Sequence, residues 1–135
     1  MAETLKLEIV TPTEIAVSED VEMVTLPAIE GQMGIYPAHV RLITRIEPGE
    51  IIVQANGRER FLAVGEGVVE VTPTTVSIVT DMAIPAEHID EAQAEEARAR
   101  AAARLSEKIS DEEVATVNAS LVRSLAQLQV KRRRK

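Results

Sequence analysis

Val79-Thr80-Asp81-Met82-Ala83-Ile84-Pro85-Ala86-Glu87-His88-Ile89-Asp90-Glu91-Ala92-Gln93-Ala94 is the stretch in which the chain changes its grammar. Before Ile84-Pro85 come short apolar runs of period two, separated by tight turns. After it come two stretches rich in Ala, Glu and Arg with helical spacing. The sequence therefore reads as a small β module over residues 1–85 followed by a helical hairpin over residues 86–135. Neither half shows a place for chemistry, which points to a coupling or regulatory subunit rather than a self-contained enzyme.

Working back from that boundary, Leu5, Leu7 and Ile9 alternate with Lys6, Glu8 and Val10, as in a half-buried strand, and Thr11-Pro12 ends the run. Similar runs occupy 22–26, 41–46, 51–55, 58–64, 68–71 and 76–80. Asn56-Gly57 between two of them predicts a two-residue type I′ turn, which needs positive φ at both central positions. Pro48-Gly49 and Thr72-Pro73-Thr74 mark further turns. Seven or more short strands joined in this way predict a flattened β-sandwich or barrel. Gly65-Glu66-Gly67 lacks the Lys-Ser/Thr of a phosphate loop and no helix follows it, so it is expected to be a bend or bulge.

Glu30-Gly31-Gln32-Met33-Gly34-Ile35-Tyr36-Pro37-Ala38-His39 interrupts the strand pattern with two glycines three apart. It is expected to be a surface loop. Either it presents Met33, Ile35 and Tyr36 to another protein, or its apolar residues plug the edge of the sandwich.

Working forward, Asp90 is placed to cap a first helix, with Gln93 three residues on. The alanines of 92–105 give it a narrow face that buries little area, so its docking should be marginal; Ala99 and Ala103 are expected on that face. Ser110-Asp111-Glu112-Glu113 matches a capping box, with Ile109 placed to staple onto Val114. Val114, Val117, Leu121, Leu125 and Leu128 then draw an apolar stripe on a second helix. The short link at 106–110 makes the two helices antiparallel neighbours. Glu96 and Arg100 are spaced for an i,i+4 ion pair.

Composition narrows the function. Among 135 residues only Tyr36 and Phe61 are aromatic, which leaves no stacking platform for bases, and there is no cysteine for disulfides, thiol chemistry or thiolate metal sites. No run approaches the roughly 18 apolar residues of a membrane span, and a soluble protein is expected. Residues 1–85 carry 5 basic and 13 acidic side chains, net −8, whereas 86–135 carry 10 and 9, net +1. Half of those later cations are Lys131-Arg132-Arg133-Arg134-Lys135, either a tail for an acidic partner surface or a solvated end. His39 and His88 lie in different halves with no ligand context around them, so neither a metal site nor a Ser/His/Asp set is expected.

In Leu7-Glu8-Ile9-Val10-Thr11-Pro12, in 30–39, in Gly65-Glu66-Gly67-Val68-Val69-Glu70-Val71, in 76–81 and in Ile89-Asp90-Glu91-Ala92-Gln93-Ala94, the chain resembles the epsilon subunits of bacterial F-type ATP synthases. The likeness extends over nearly its whole length. It implies a non-catalytic central-stalk (rotor) subunit, peripheral to the cytoplasmic face of the bacterial plasma membrane. Its implied partners are the gamma subunit, the membrane-embedded c-ring and the alpha and beta subunits of the catalytic head. Glu30, Gly31, Gln32, Met33, Gly34 and His39 are then candidates for ring and gamma contact, and Lys131, Arg132, Arg133, Arg134 and Lys135 for contact with the head. In that family the hairpin either folds against the sandwich or extends and blocks ATP hydrolysis. Some members bind ATP through an Ile-Asp-x-x-Arg-Ala motif and further arginines. Here Ile89, Asp90 and Ala94 match, and Arg100 and Arg123 fall at family arginine positions, but Gln93 and Gln127 replace two others. No cofactor is required, and ATP binding is expected to be weak at most.

Two other readings compete. A free-standing module whose hairpin closes on ATP would show nucleotide protection of 86–135 without a partner. Nucleic-acid binding through the basic end conflicts with the acidic body and the missing aromatics.

Overall fold

The structure, a computed structural model, describes residues 3–134. Period-two alternation translates directly into strand β1 (Leu5–Val10), where Leu5, Leu7 and Ile9 are fully buried while Lys6 is exposed. It is followed by β2 (Ile15–Val21), β3 (Met23–Ala28), β4 (Gly31–Ile35), β5 (Leu42–Ile46), β6 (Gly49–Ala55), β7 (Arg58–Val64), β8 (Gly67–Val71), β9 (Thr75–Thr80) and the short β10 (Ala83–Pro85). They form one sheet in the order β10-β7-β6-β3-β5-β8-β9-β1-β2, with β4 added on β3. β1 runs parallel to β9 and the other pairings are antiparallel. The sheet folds over a core of Leu, Ile and Val side chains from β1 to β9, giving the expected flattened sandwich or nearly closed barrel.

Asn56 and Gly57 have φ of 54° and 74°, the positive pair that the type I′ turn requires. Gly65 and Gly67 serve close approach instead. A Cβ on Gly65 would collide with the Asp81 carboxylate, and one on Gly67 with the backbone of Val79 and Thr80. The glycine pair thus lets β8 and the end of β9 meet.

Three strands escape the sequence reading. In β2 the polar run Ser18-Glu19-Asp20 breaks the alternation, because Glu19 faces the same side as buried Val17 and Val21 and is ion-paired with Arg60 of β7. β10 is only three residues long. The third, β4, corrects the loop expected at 30–39: Gly31–Ile35 is a strand in register with β3, and only the Ile29-Glu30 turn and residues 36–41 lack strand structure. Ile35 is buried and Met33 half-buried against the core, so these two plug the sandwich rather than stand out from it, while Tyr36 is exposed.

A single 3-10 turn (Ala86–His88) leads into helices α1 (Glu91–Leu105) and α2 (Asp111–Arg133). Both N-caps form as predicted: Gln93 N–H donates to Asp90 at 3.1 Å and Glu113 N–H to Ser110 at 3.2 Å. The Glu113 carboxylate accepts from Arg104 of α1, an ion pair across the hairpin.

The packed faces differ from those expected. On α1, Ala94 and Ala101 are buried while Ala99 and Ala103 face solvent, because the contact runs along 94, 97, 101 and 105. On α2, Leu128 is buried, but Val114 and Leu125 are 40% and 47% exposed. The stripe fails there because α2 has two neighbours: α1, and the sandwich through β6, β7 and the 3-10 turn. Ala126 and Val130 serve the second contact, packing with Ala63, Met82, Ala86 and Ile89. Among the described residues Glu96 and Arg100 do not pair; Glu95 binds Arg98 instead.

Candidate functional site

One exposed apolar surface of the sandwich follows from register. Residues opposite one another in neighbouring strands point to the same face, and Arg45, Val68, Val79, Val10 and Ile15 form one continuous row across β5, β8, β9, β1 and β2. Ile43, two residues before Arg45 on β5, shares that face. Ile15, Ile43 and Val79 are between 62% and 68% exposed and Val68 is 47% exposed. The helices lie against β6 and β7, so this face is left open. An exposed apolar face of this kind is a candidate contact surface.

The sequence reading did not single out these residues. Its available signal was adjacent apolar pairs inside strands, Ile9-Val10, Leu42-Ile43, Val68-Val69 and Ile78-Val79, where one member is spare once the core is filled.

Glu30, Gly31, Gln32 and Met33 line a groove between the β3–β4 hairpin and β5, together with Leu42 and Thr44. Gly34 continues β4, where an added Cβ would come within 3.0 Å of the Met23 methyl. His39 is not brought to that groove. It sits past the other end of β4, in the 36–41 connection, where its Nδ1 donates to the Val40 carbonyl at 2.8 Å. Ala38 N–H anchors this connection to Pro73.

Between the helices lies a cleft lined by Gln93, Ala94, Glu96, Ala97, Arg100, Ser124 and Gln127. Ile89 is buried in the contact beneath α2, and Asp90 is spent on capping α1. Arg123 does not line the cleft; its Nη1 donates to Asp81 at 3.2 Å. The cleft thus presents one arginine beside one carboxylate.

Lys131, Arg132 and Arg133 of the basic end form the last residues of α2, and Arg134 is its C-cap. Lys131 Nζ donates to the Ala86 carbonyl at 3.3 Å, and Arg132 bridges Glu91 and Glu95 at 3.1 and 3.3 Å. Arg134 makes a bidentate pair with Glu50, both contacts 2.9 Å, while its guanidinium stacks on Phe61, and Arg133 approaches the same carboxylate at 3.9 Å. Hydrogen bonding to Glu50 pushes the Arg134 pKa further up. Lys135 lies outside the described residues. Among the described residues no cluster of His, Asp or Glu could hold a metal ion, and no helix is long and apolar enough to cross a membrane.

Residues 4–86 match the family described as "ATP synthase, Delta/Epsilon chain, beta-sandwich domain", and residues 87–132 the "ATP synthase, Delta/Epsilon chain, long alpha-helix domain". The chain belongs to the ATP synthase delta/epsilon family. Curated relatives in this family include the "ATP synthase epsilon chain" of Alkalilimnicola ehrlichii, 41% identical over 93% of this chain and 91% of that one. The protein of the same name from Herpetosiphon aurantiacus is 39% identical over 97% and 96%. Delta/epsilon-type chains are non-catalytic subunits, and this chain is one. The fold is shared with a chain of the Euglena gracilis mitochondrial ATP synthase, solved with OSCP, F1 and c-ring (TM-score 0.76, 23% identity, 93% of this chain and 79% of that one). A chain from the Tetrahymena thermophila central stalk and c-ring is also similar (TM-score 0.60, 15% identity, 94% and 96%).

Proposed function

We propose that the chain is a rotor subunit of a proton-translocating F-type ATP synthase at the cytoplasmic face of a bacterial plasma membrane, coupling proton flow to ATP synthesis. In this reading its helices restrain ATP hydrolysis when they leave the sandwich. The observation that carries the proposal is the open apolar row Val10, Ile15, Val68 and Val79 in a chain of this family. A torque-bearing contact needs a rigid, apolar and water-excluding face, and a strand-built row supplies one. The gamma subunit is the proposed occupant. The Glu30–Met33 groove, at another edge, is assigned to the c-ring loops, and the catalytic head of alpha and beta subunits would receive Arg132–Arg134 once they are released from Glu50, Glu91 and Glu95. His39 lies away from that groove and is kept as a gamma contact candidate.

The same reading gives the interhelical cleft weak ATP binding at most. Arg100 would meet a triphosphate beside Glu96, and Gln93 and Gln127 add no charge. A free nucleotide-sensing module remains the competing reading, and nucleotide protection of α1 and α2 in the isolated chain would favour it. The direct test is gamma binding by the Val79→Glu variant. A buried unpaired carboxylate should cut affinity at least a hundredfold; binding equal to that of the parent chain would remove this face from the proposal.

A further inference from the structure

We propose that the docked hairpin is latched to the sandwich by two arginines, Arg123 of α2 and Arg134 at its C-cap, and that this end of the helix is the point of release. Arg123 and Arg134 stand eleven residues apart, three helical turns, and so lie on one side of α2. Each grips a carboxylate of the β domain: Arg123 takes Asp81 in the β9–β10 turn, and Arg134 takes Glu50 at the start of β6. Between them lies the apolar contact, to which, among the described residues, α2 contributes two buried side chains, Ala126 and Val130. Such a small contact leaves much of the specificity of docking to the arginines.

The two pairs are not equivalent. Arg123 and Asp81 are 35% and 42% exposed, where an ion pair adds little. The Glu50 side chain is only 5% exposed and Arg134 meets it with the fork geometry that gives strong charge-assisted bonds, backed by the Phe61 ring. Arg133 reinforces the charge around the same carboxylate. The main latch is therefore Arg134, at the C-terminal cap of α2. The hairpin has separate ties of its own, Arg104 to Glu113 and Arg132 to Glu91 and Glu95, which do not involve the sandwich. Breaking the Glu50 pair removes the main tie at the end of α2, leaving there the Lys131 bond to the Ala86 carbonyl, while α1 and α2 stay together. This holds for the isolated chain and does not depend on which partners it has.

The test is amide hydrogen exchange of the full chain, comparing the parent with Arg134→Gln and Glu50→Gln at low salt and in 1 M NaCl. Arg134→Gln should speed exchange in residues 122–134 about tenfold, leave β1 and β9 unchanged, and lower the sensitivity to salt. Because Glu50 sits in β6, its variant could loosen the sandwich; the charge-swapped pair Glu50→Arg with Arg134→Glu separates the two effects and should recover most of the protection. Unchanged exchange in Arg134→Gln overturns the latch. So does opening of α1 from α2 to the same degree as α2 from the sandwich.

Discussion

Val130 offers the sharpest prediction about how the hairpin is held. It is fully buried and, with Ala126, is what α2 buries among the described residues in the apolar contact with Ala63, Met82, Ala86 and Ile89. Val130→Ala removes two carbons. At about 0.8 kcal/mol each the transfer term is about 1.6 kcal/mol, and a partly uncollapsed cavity brings the cost to about 2 kcal/mol. With a tenfold change for every 1.4 kcal/mol or so, the docking constant should fall about thirtyfold. Hydrogen exchange at residues 83–89 and 122–134 reads this directly, because amides that open by undocking exchange through the docking equilibrium rather than through global unfolding. Leu125→Ala, at a 47% exposed position on the same helix, is the control and should change little. The reasoning is refuted if Val130→Ala exchanges like the parent. It is refuted equally if β1 and β9 open in step with α2, since docking would then not be a separable equilibrium.

Further predictions follow from single contacts. Gly67→Ala pushes a methyl into the Val79–Thr80 backbone and should cost about 1–3 kcal/mol, seen as a lower thermal midpoint; an unchanged midpoint contradicts the close approach of β8 and β9. Ala101→Glu should separate α1 from α2 while Ala99→Glu should not, as measured by protease sensitivity of the hairpin; equal effects would show that the face is misassigned. The Arg98 hydrogen bond, then the nearby Arg98 and Arg132 charges, hold the Glu95 pKa below its ordinary 4.5 against the opposing effect of desolvation. Its contribution to α1 packing is therefore complete above pH 4.5 and is lost as pH falls through the lowered folded value. Thermal melts by circular dichroism should show an acid-linked loss that Glu95→Gln removes, and an identical pH profile in the variant would contradict the assignment.

What the sequence made legible is what local rules decide. Asn56-Gly57 announces its turn, Asp90 and Ser110 announce their helix starts, and Leu5, Leu7 and Ile9 announce an inward face, because each depends on neighbours close in the chain. Glu19 hid a strand because its inward position is tolerated only through Arg60, far away in sequence. The faces of α1 and α2 were misjudged because a helix touching two neighbours does not show a single stripe. Arg123 and Arg134 stood out in the sequence only as a family position and as part of a basic end, and their carboxylates could be identified only once β6 and the β9–β10 turn were folded against α2.

The central claim is tested most directly by ATP hydrolysis of a bacterial catalytic head with its gamma subunit but lacking its epsilon subunit. The full chain is added to one sample and residues 1–88 to another. The account predicts that both bind, that only the full chain slows hydrolysis, and that the slowing disappears without α1 and α2. Failure of the full chain to bind this assembly, or equal inhibition by residues 1–88, would contradict it.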